Sequence, residues 1–183
     1  QEEKRQRLDN QPYGRFMYGE ALSPHVFDKH PYRWSVIGSF EDLASAKLED
    51  FQHFSKTYYV PNNAVLVVAG DFKTDEAKKL IEKYFGVIPR GAEVKKSFPK
   101  EEPITKERRV TEYDSNIQIP LLAINYRTSD NKSKDAYALD MLSDYLTGGK
   151  SSVIYKKYVD DTKEALQIFA FNRQQEDYGI YTL

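Results

Sequence analysis

Three histidines, two adjacent glutamates and a glycine-lysine-serine turn are the places where this sequence could do chemistry. His25 and His30 stand five residues apart, each beside a proline. Zinc-binding histidines on a helix usually stand four apart, on one face. Pro24, Pro31 and Gly38 make the stretch 23–38 loop-like, so the two rings diverge and a packing or capping role is expected for both. His53 falls on the polar side of a helical stretch and is expected at the surface. Gly149-Lys150-Ser151 has the ending of a phosphate-binding loop. The position five before Gly149 holds Asp144 instead of glycine, and a helical pattern precedes it where a strand is required. A turn between helices is the reading. No Gly-x-Ser-x-Gly, cysteine–histidine pair or dinucleotide fingerprint occurs. Glu3 stands four residues before Arg7, the spacing of a helix-surface ion pair. Glu2 and Glu3 point about 100° apart on a helix and cannot serve interchangeably.

The elements that must position these residues follow from periodicity and punctuation. Residues 1–11 are helix-favouring and polar, and Asp9-Asn10-Gln11-Pro12-Tyr13-Gly14 breaks or kinks that helix. Phe16, Met17 and Leu22 continue a short helix beyond it. Ser39 with Asp42 three residues on fits a capping box, and Leu48, Phe51, Ser55 and Tyr58 form one helical stripe. Ala64 to Ala69 is an unbroken apolar run rich in β-branched residues, entered through Pro61-Asn62-Asn63 and left through Gly70-Asp71. It predicts a strand buried on both faces, the deepest segment of a first unit. Ala77, Leu80, Ile81, Tyr84 and Phe85 follow as an amphipathic helix stopped by Gly86.

Residues 86–103 change character, with Pro89, Pro99 and Pro103 in a glycine-lysine-glutamate background, and read as a linker. A second unit then opens with strand-like text at Arg109–Tyr113 and Ile119–Tyr126. Ser133 precedes a helix with the stripe Ala138, Met141, Leu142, Tyr145 and Leu146, which Gly148-Gly149 stops. A further helix carries Ile154, Tyr155, Tyr158 and Val159. Strands are expected at Ala165–Phe171 and from Ile180. Strands and helices in this order give an α+β fold.

The bounds exclude several function classes. The chain has 183 residues, 40% of them apolar, enough for one large domain or two small ones. Basic and acidic residues number 27 and 28, so charge gives no pull toward nucleic acid or anionic membrane. Without cysteine there are no disulfides or thiolate metal sites. No run approaches the roughly 18 apolar residues of a membrane span. The first residues are helix-like and charged, without methionine, and the last lie in strand-like text, so a fragment of a longer protein is expected.

Several stretches together resemble the pitrilysin, insulinase and mitochondrial-processing-peptidase family of zinc metallopeptidases. They are Glu2-Glu3-Lys4-Arg5 running into Asp9-Asn10-Gln11-Pro12-Tyr13-Gly14, then His30-Pro31-Tyr32 with Gly38-Ser39-Phe40-Glu41-Asp42-Leu43. Next come Phe54 to Phe72 with its Tyr-x-Pro-Asn-Asn-Ala entry, Tyr84-Phe85-Gly86 with Ile88-Pro89, and Leu146-Thr147-Gly148-Gly149 to Tyr155 with the strand to Phe171. Each is short, and their order and spacing make the set specific over nearly the whole chain.

The resemblance implies mixed or antiparallel sheets with helices mainly on one face, in two incomplete units. Residues 1–88 would be the C-terminal part of the zinc-bearing domain, 89–103 the linker and 104–183 the start of the next domain. It also implies a metalloendopeptidase parent that hydrolyses peptides or unfolded polypeptides in a closed chamber. The family holds zinc through two histidines of a His-x-x-Glu-His motif and a later glutamate, whose place aligns with Glu3, with Glu2 as the off-by-one alternative. That motif is absent here and is expected upstream, so no catalytic residue is assigned in this chain. Zinc is expected in the parent and not bound to the fragment, which should be inactive alone. Val153 stands where the facing domain of the family would carry a substrate-gripping arginine, so no substrate-binding residue is assigned. The implied partners are a peptide or protein substrate and the remaining domains or a homologous facing half, without nucleic acid or a membrane span. The implied compartment is the bacterial periplasm or cell envelope. The alternative is a non-catalytic structural or substrate-presenting subunit of the same family.

Overall fold

The computed structural model describes residues 1–183. In chain order the elements are α1 (Glu2–Lys4), α2 (Gly14–Met17), α3 (Ser23–Val26), α4 (Phe40–Ser45), α5 (Leu48–Tyr58), α6 (Thr74–Phe85), β1 (Asn125–Thr128), α7 (Asp135–Thr147), α8 (Val153–Tyr155), β2 (Phe171–Gln174) and β3 (Gly179–Thr182). The chain falls into two compact units. One is residues 38–99, and the other joins residues 2–37 to residues 100–183. These are groupings in space, distinct from the linear domains that the sequence suggested.

The unit of residues 38–99 is built by local signals. Ser39 Oγ accepts the Asp42 N–H at 2.9 Å and starts α4, a cap worth about 1 kcal/mol. Asp50 Oδ2 accepts the Lys47 N–H at 2.9 Å and starts α5. The Gly86 N–H closes α6 on Glu82 O at 2.9 Å. Asn62 ties the entry turn to the segment after α6, its Oδ1 accepting the Gly91 N–H at 2.8 Å and its Nδ2 donating to Ala92 O at 3.1 Å. The buried strand expected at Ala64–Ala69 does not form. The run is extended and exposed, with Val65 90% and Val67 80% accessible. The physical reason is that a strand needs a neighbour: no other segment of this unit is a strand, so the backbone of this run has no ladder to join.

The unit of residues 2–37 and 100–183 carries the sheet and the core. The strands are antiparallel in the order β1-β3-β2, with Tyr181 opposite Tyr126 on one side and Asn172 on the other. Side chains alternate across β3. Ile180 packs with Val26 and Phe27, with Leu22, Tyr32 and Tyr178 around them. On the opposite face Asn172 Nδ2 donates to Asp140 Oδ1 of α7 at 3.2 Å and to Ala136 O at 3.4 Å. Helical segments thus cover both faces of this sheet, where the family resemblance implied mainly one.

The sheet is shorter and shifted relative to the sequence reading. Arg109–Tyr113 is not a strand, β1 begins at Asn125, and β2 begins where the Ala165–Phe171 strand was expected to end. On α7 most of the expected apolar stripe faces outward, with Met141 73% and Tyr145 65% exposed, and of its members only Leu146 is half-buried. The less accessible positions are Ala136, Leu139, Ser143, Leu146 and Thr147, which share a helix face. Small and hydroxyl residues let α7 approach the sheet and bond to it: Thr147 Oγ1 accepts the Ala170 N–H at 2.7 Å. The stretch 23–38, expected as loop, holds the turn α3 and a 3-10 turn at Pro31–Arg33.

Candidate functional site

The segment carrying Glu3 is α1 followed by a π-helical turn over Arg5–Asp9. Its buried side chains are Lys4 and Leu8, four residues apart and therefore on one face. Leu8 supplies apolar burial, and Lys4 is held by an ion pair with Glu20. Glu20 also accepts from Arg15 Nε at 3.3 Å, Arg15 lies 3.6 Å from Glu112, and Glu112 meets His25 Nε2 at 3.2 Å. An alternating chain of charges thus fixes this helical segment against residues 108–113. Asn116 Nδ2 donates to Asp9 O, and the Tyr13 hydroxyl donates to Ile119 O at 2.7 Å.

Glu3 points away from that face. Its side chain is 67% exposed and pairs with Arg7 Nη2 at 2.8 Å, the helix-surface pairing that its spacing allows. Glu2 pairs with Arg5 at 3.3 Å and is similarly exposed. No group of three histidine or acidic side chains lies close enough to hold a metal. The residues present therefore do not by themselves fit a zinc site: one exposed carboxylate lacks the nitrogen donors that complete such a shell.

The histidines go separate ways. His53 is exposed on α5. His25 Nε2 lies 3.2 Å from Glu112 Oε1, at the end of the chain above. His30 is 1% exposed, with ring contacts to Tyr32 at 4.3 Å and Tyr178 at 5.3 Å. Its Nδ1 accepts the Tyr32 N–H at 3.3 Å, which caps the 3-10 turn and leaves the ring proton on Nε2, 3.4 Å from Asp177. His30 is a packed, capping histidine. Gly149-Lys150-Ser151 is the expected turn, closed by Ser152 bonding back to Gly149 O at 2.6 Å.

Two charged residues escaped sequence reasoning. Glu101 and Arg127 form an ion pair at 3.1 Å with side chains 1% and 8% exposed. Nothing in the text marks them, because Glu101 stands in a charged run and Arg127 at the end of an alternating strand. Burial pulls the Glu101 carboxyl upward. The backbone N–H groups of His30, Lys29 and Asp28 and the Arg127 charge outweigh it and hold the group below its ordinary value of 4.5. At the surface beside it, Asp28 and Arg108 pair through two bonds of 3.0 and 2.7 Å, and the Arg108 bond draws the Asp28 carboxyl below its usual range. A cavity of about 360 Å³ lies between α2 and the Ile180 face of the sheet, with Arg173 its only charged lining residue. A lone cation in an apolar lining offers no acid–base pair.

Comparison with known proteins places these features. Residues 45–183 match the family model described as the peptidase M16 inactive domain. A zinc protease PqqE of Helicobacter pylori is 31% identical over 182 residues, which covers 98% of this chain and 40% of the relative. An uncharacterized zinc protease YmxG of Bacillus subtilis is 26% identical over 164 residues, 90% of this chain and 39% of the relative. A probable mitochondrial-processing peptidase subunit beta of Arabidopsis thaliana is 23% identical over 171 residues, 88% of this chain and 32% of that protein. The crystal structure of a protease from Helicobacter pylori superposes with a TM-score of 0.78 at 32% identity, covering 99% of this chain and 44% of that one. The chain thus spans about 40% of the length of these two zinc proteases.

Proposed function

Since this chain belongs to the peptidase M16 family, we propose that it serves as a non-catalytic portion of a zinc-dependent metalloendopeptidase acting on peptides or unfolded polypeptides in a closed chamber. The observation that carries the reading is the match of residues 45–183 to the family's inactive domain, alongside relatives named zinc proteases over nearly the whole chain. In this reading residues 1–88 close one domain, 89–103 connect, and 104–183 open the next. The exposed apolar faces of residues 38–99 are then surfaces that further domains, or a homologous facing half, cover in the whole protein. Glu3 offers one carboxylate toward a zinc ion whose other donors come from outside this chain, and it must leave Arg7 to do so. No chemical step is assigned to the residues present, because they do not form the site.

A second reading, a structural or substrate-presenting subunit, draws on the description of the matched domain as inactive. Peptide hydrolysis by the whole protein, before and after zinc removal and restoration, separates the two. The first reading expects turnover that chelation abolishes and zinc restores, with none from the 183-residue chain alone. A whole protein without turnover at any zinc level would leave only the second.

A further inference from the structure

Glu101 lies in a stretch of proline, lysine and glutamate where a solvated side chain is expected, yet it is 1% exposed. Its carboxylate accepts the backbone N–H groups of Asp28 at 3.1 Å, Lys29 at 2.6 Å and His30 at 2.6 Å, and Arg127 Nη1 at 3.1 Å. Arg127 also donates from Nη1 to Val26 O at 2.8 Å and from Nη2 to Glu102 O. Its guanidinium also lies over the rings of Phe27 and Tyr178, at 5.9 and 5.8 Å. The Tyr178 hydroxyl accepts the Glu101 N–H at 3.0 Å and completes the circuit. Three stretches distant in sequence, 26–30, 101–102 and β1, thus meet on one buried ion pair. Such a pair, fully bonded, holds a unique geometry, and losing one partner leaves a buried charge without compensation.

We propose that Glu101 and Arg127 form a latch that clamps the end of the connecting segment and strand β1 to the turn at residues 26–30, so that flexing of the connection is confined to residues 93–99, between this latch and the Asn62 bonds to Gly91 and Ala92. This rests on the reading of 89–103 as a connection between domains. The latch makes the His30 turn and residues 104–183 one body, reinforced at the surface by Asp28 and Arg108. The connecting segment therefore acts as a short tether, held at Gly91 and Ala92 by Asn62 and at Glu101 by the latch.

Limited trypsin digestion of the 183-residue chain tests this, because Lys95, Lys96 and Lys100 lie close together in the segment. Cleavage is expected after Lys95 and Lys96, with the Lys100–Glu101 bond at least about tenfold slower, because cutting there requires local release of Glu101. Arg127→Met leaves the cut sequence unchanged and should raise cleavage after Lys100 by about tenfold or more, with Lys95 and Lys96 unaffected. Hydrogen exchange at the Asp28, Lys29 and His30 amides should accelerate in the same variant. An unchanged rate after Lys100 in Arg127→Met, or equal rates at all three lysines in the unaltered chain, overturns the latch. If Arg127→Met unfolds the unit, seen as cutting after Lys132 and Arg173 too, Arg127→Lys carries the decision. It keeps the charge and loses the fork, so faster cutting after Lys100 supports the latch and no change overturns it. Resistance at Lys95 and Lys96 in every form, with amide protection of 28–30 still lost in Arg127→Met, would sink the connection reading and leave the latch standing.

Discussion

Residues 38–99 and the unit of residues 2–37 and 100–183 were written in similar apolar text and ended differently. Every buried residue, including Leu8, Phe27, His30 and Tyr181, belongs to the second. The first has none, although it contains the most continuous apolar run in the chain. Its helices α5 and α6 carry clear stripes, with Asp50 bonding the start of α5 and Gly86 closing α6, yet Phe51, Leu80 and Tyr84 remain more than half exposed. Helix formation is local, so caps and periodicity suffice for it. Burial needs a partner surface, and the run at 64–69 has none in its own unit. In the other unit β3 has a neighbour on each side, and a core follows.

The widest gap between the two regions should appear in amide exchange. Val65–Ala69 should exchange at nearly free rates, whereas Ile180 and Tyr181 should be slowed by about a thousandfold or more. Protection of the 64–69 run comparable with that of β3 would break the comparison. Truncation in the 183-residue chain sharpens it. Ile180→Ala, at a site 4% exposed, should cost about 3 kcal/mol in urea unfolding. Val67→Ala, at a site 80% exposed, should stay within about 0.5 kcal/mol.

Legibility in the sequence divides along the same line. The Ser39 cap, the Gly86 stop, the Gly148 stop and the break after Asp9 are local features and are where the text put them. The α+β class and the family could also be read from spaced motifs. The Ala64–Ala69 strand failed because strand text states a preference for pairing and not the presence of a partner. Most of the α7 stripe failed because the helix has two usable faces, and the bonds that Thr147 and Asp140 accept from β2 and the residue before it select the smaller one. Glu101 and Arg127 were invisible because their partners are mostly backbone groups dozens of residues away. Glu3 was singled out through resemblance alone, since its local signal is an ordinary surface pair.

Acid should act on the core-bearing unit through Glu101. Its folded value lies below the ordinary 4.5, so the stability it contributes is present above the unfolded value. It is lost as pH falls through the lower folded value. Asp28, shifted the same way, adds to the trend at the surface. The other ionisable groups facing Glu101 are Arg127, Arg108, Lys29, His30 and Tyr178. Urea midpoints measured below pH 5 should fall more steeply for the unaltered chain than for Glu101→Gln, and parallel profiles would refute the assignment.

The smallest effect is expected at Glu3 within this chain. Glu3→Gln removes an exposed i,i+4 pair with Arg7 and should change unfolding free energy by no more than about 0.5 kcal/mol. A larger loss would show that the carboxylate is structural.

The same substitution in the whole protein is the most direct test of the account, because Glu3 is there proposed to face a zinc ion. Peptide hydrolysis and bound zinc would be measured on the same samples of the unaltered protein, Glu3→Gln and Glu2→Gln. The account expects Glu3→Gln to lose most of its zinc and nearly all turnover with its fold intact, while Glu2→Gln, whose side chain leaves the helix about 100° away, stays close to normal. A Glu3→Gln protein that retains its zinc and its turnover would contradict it.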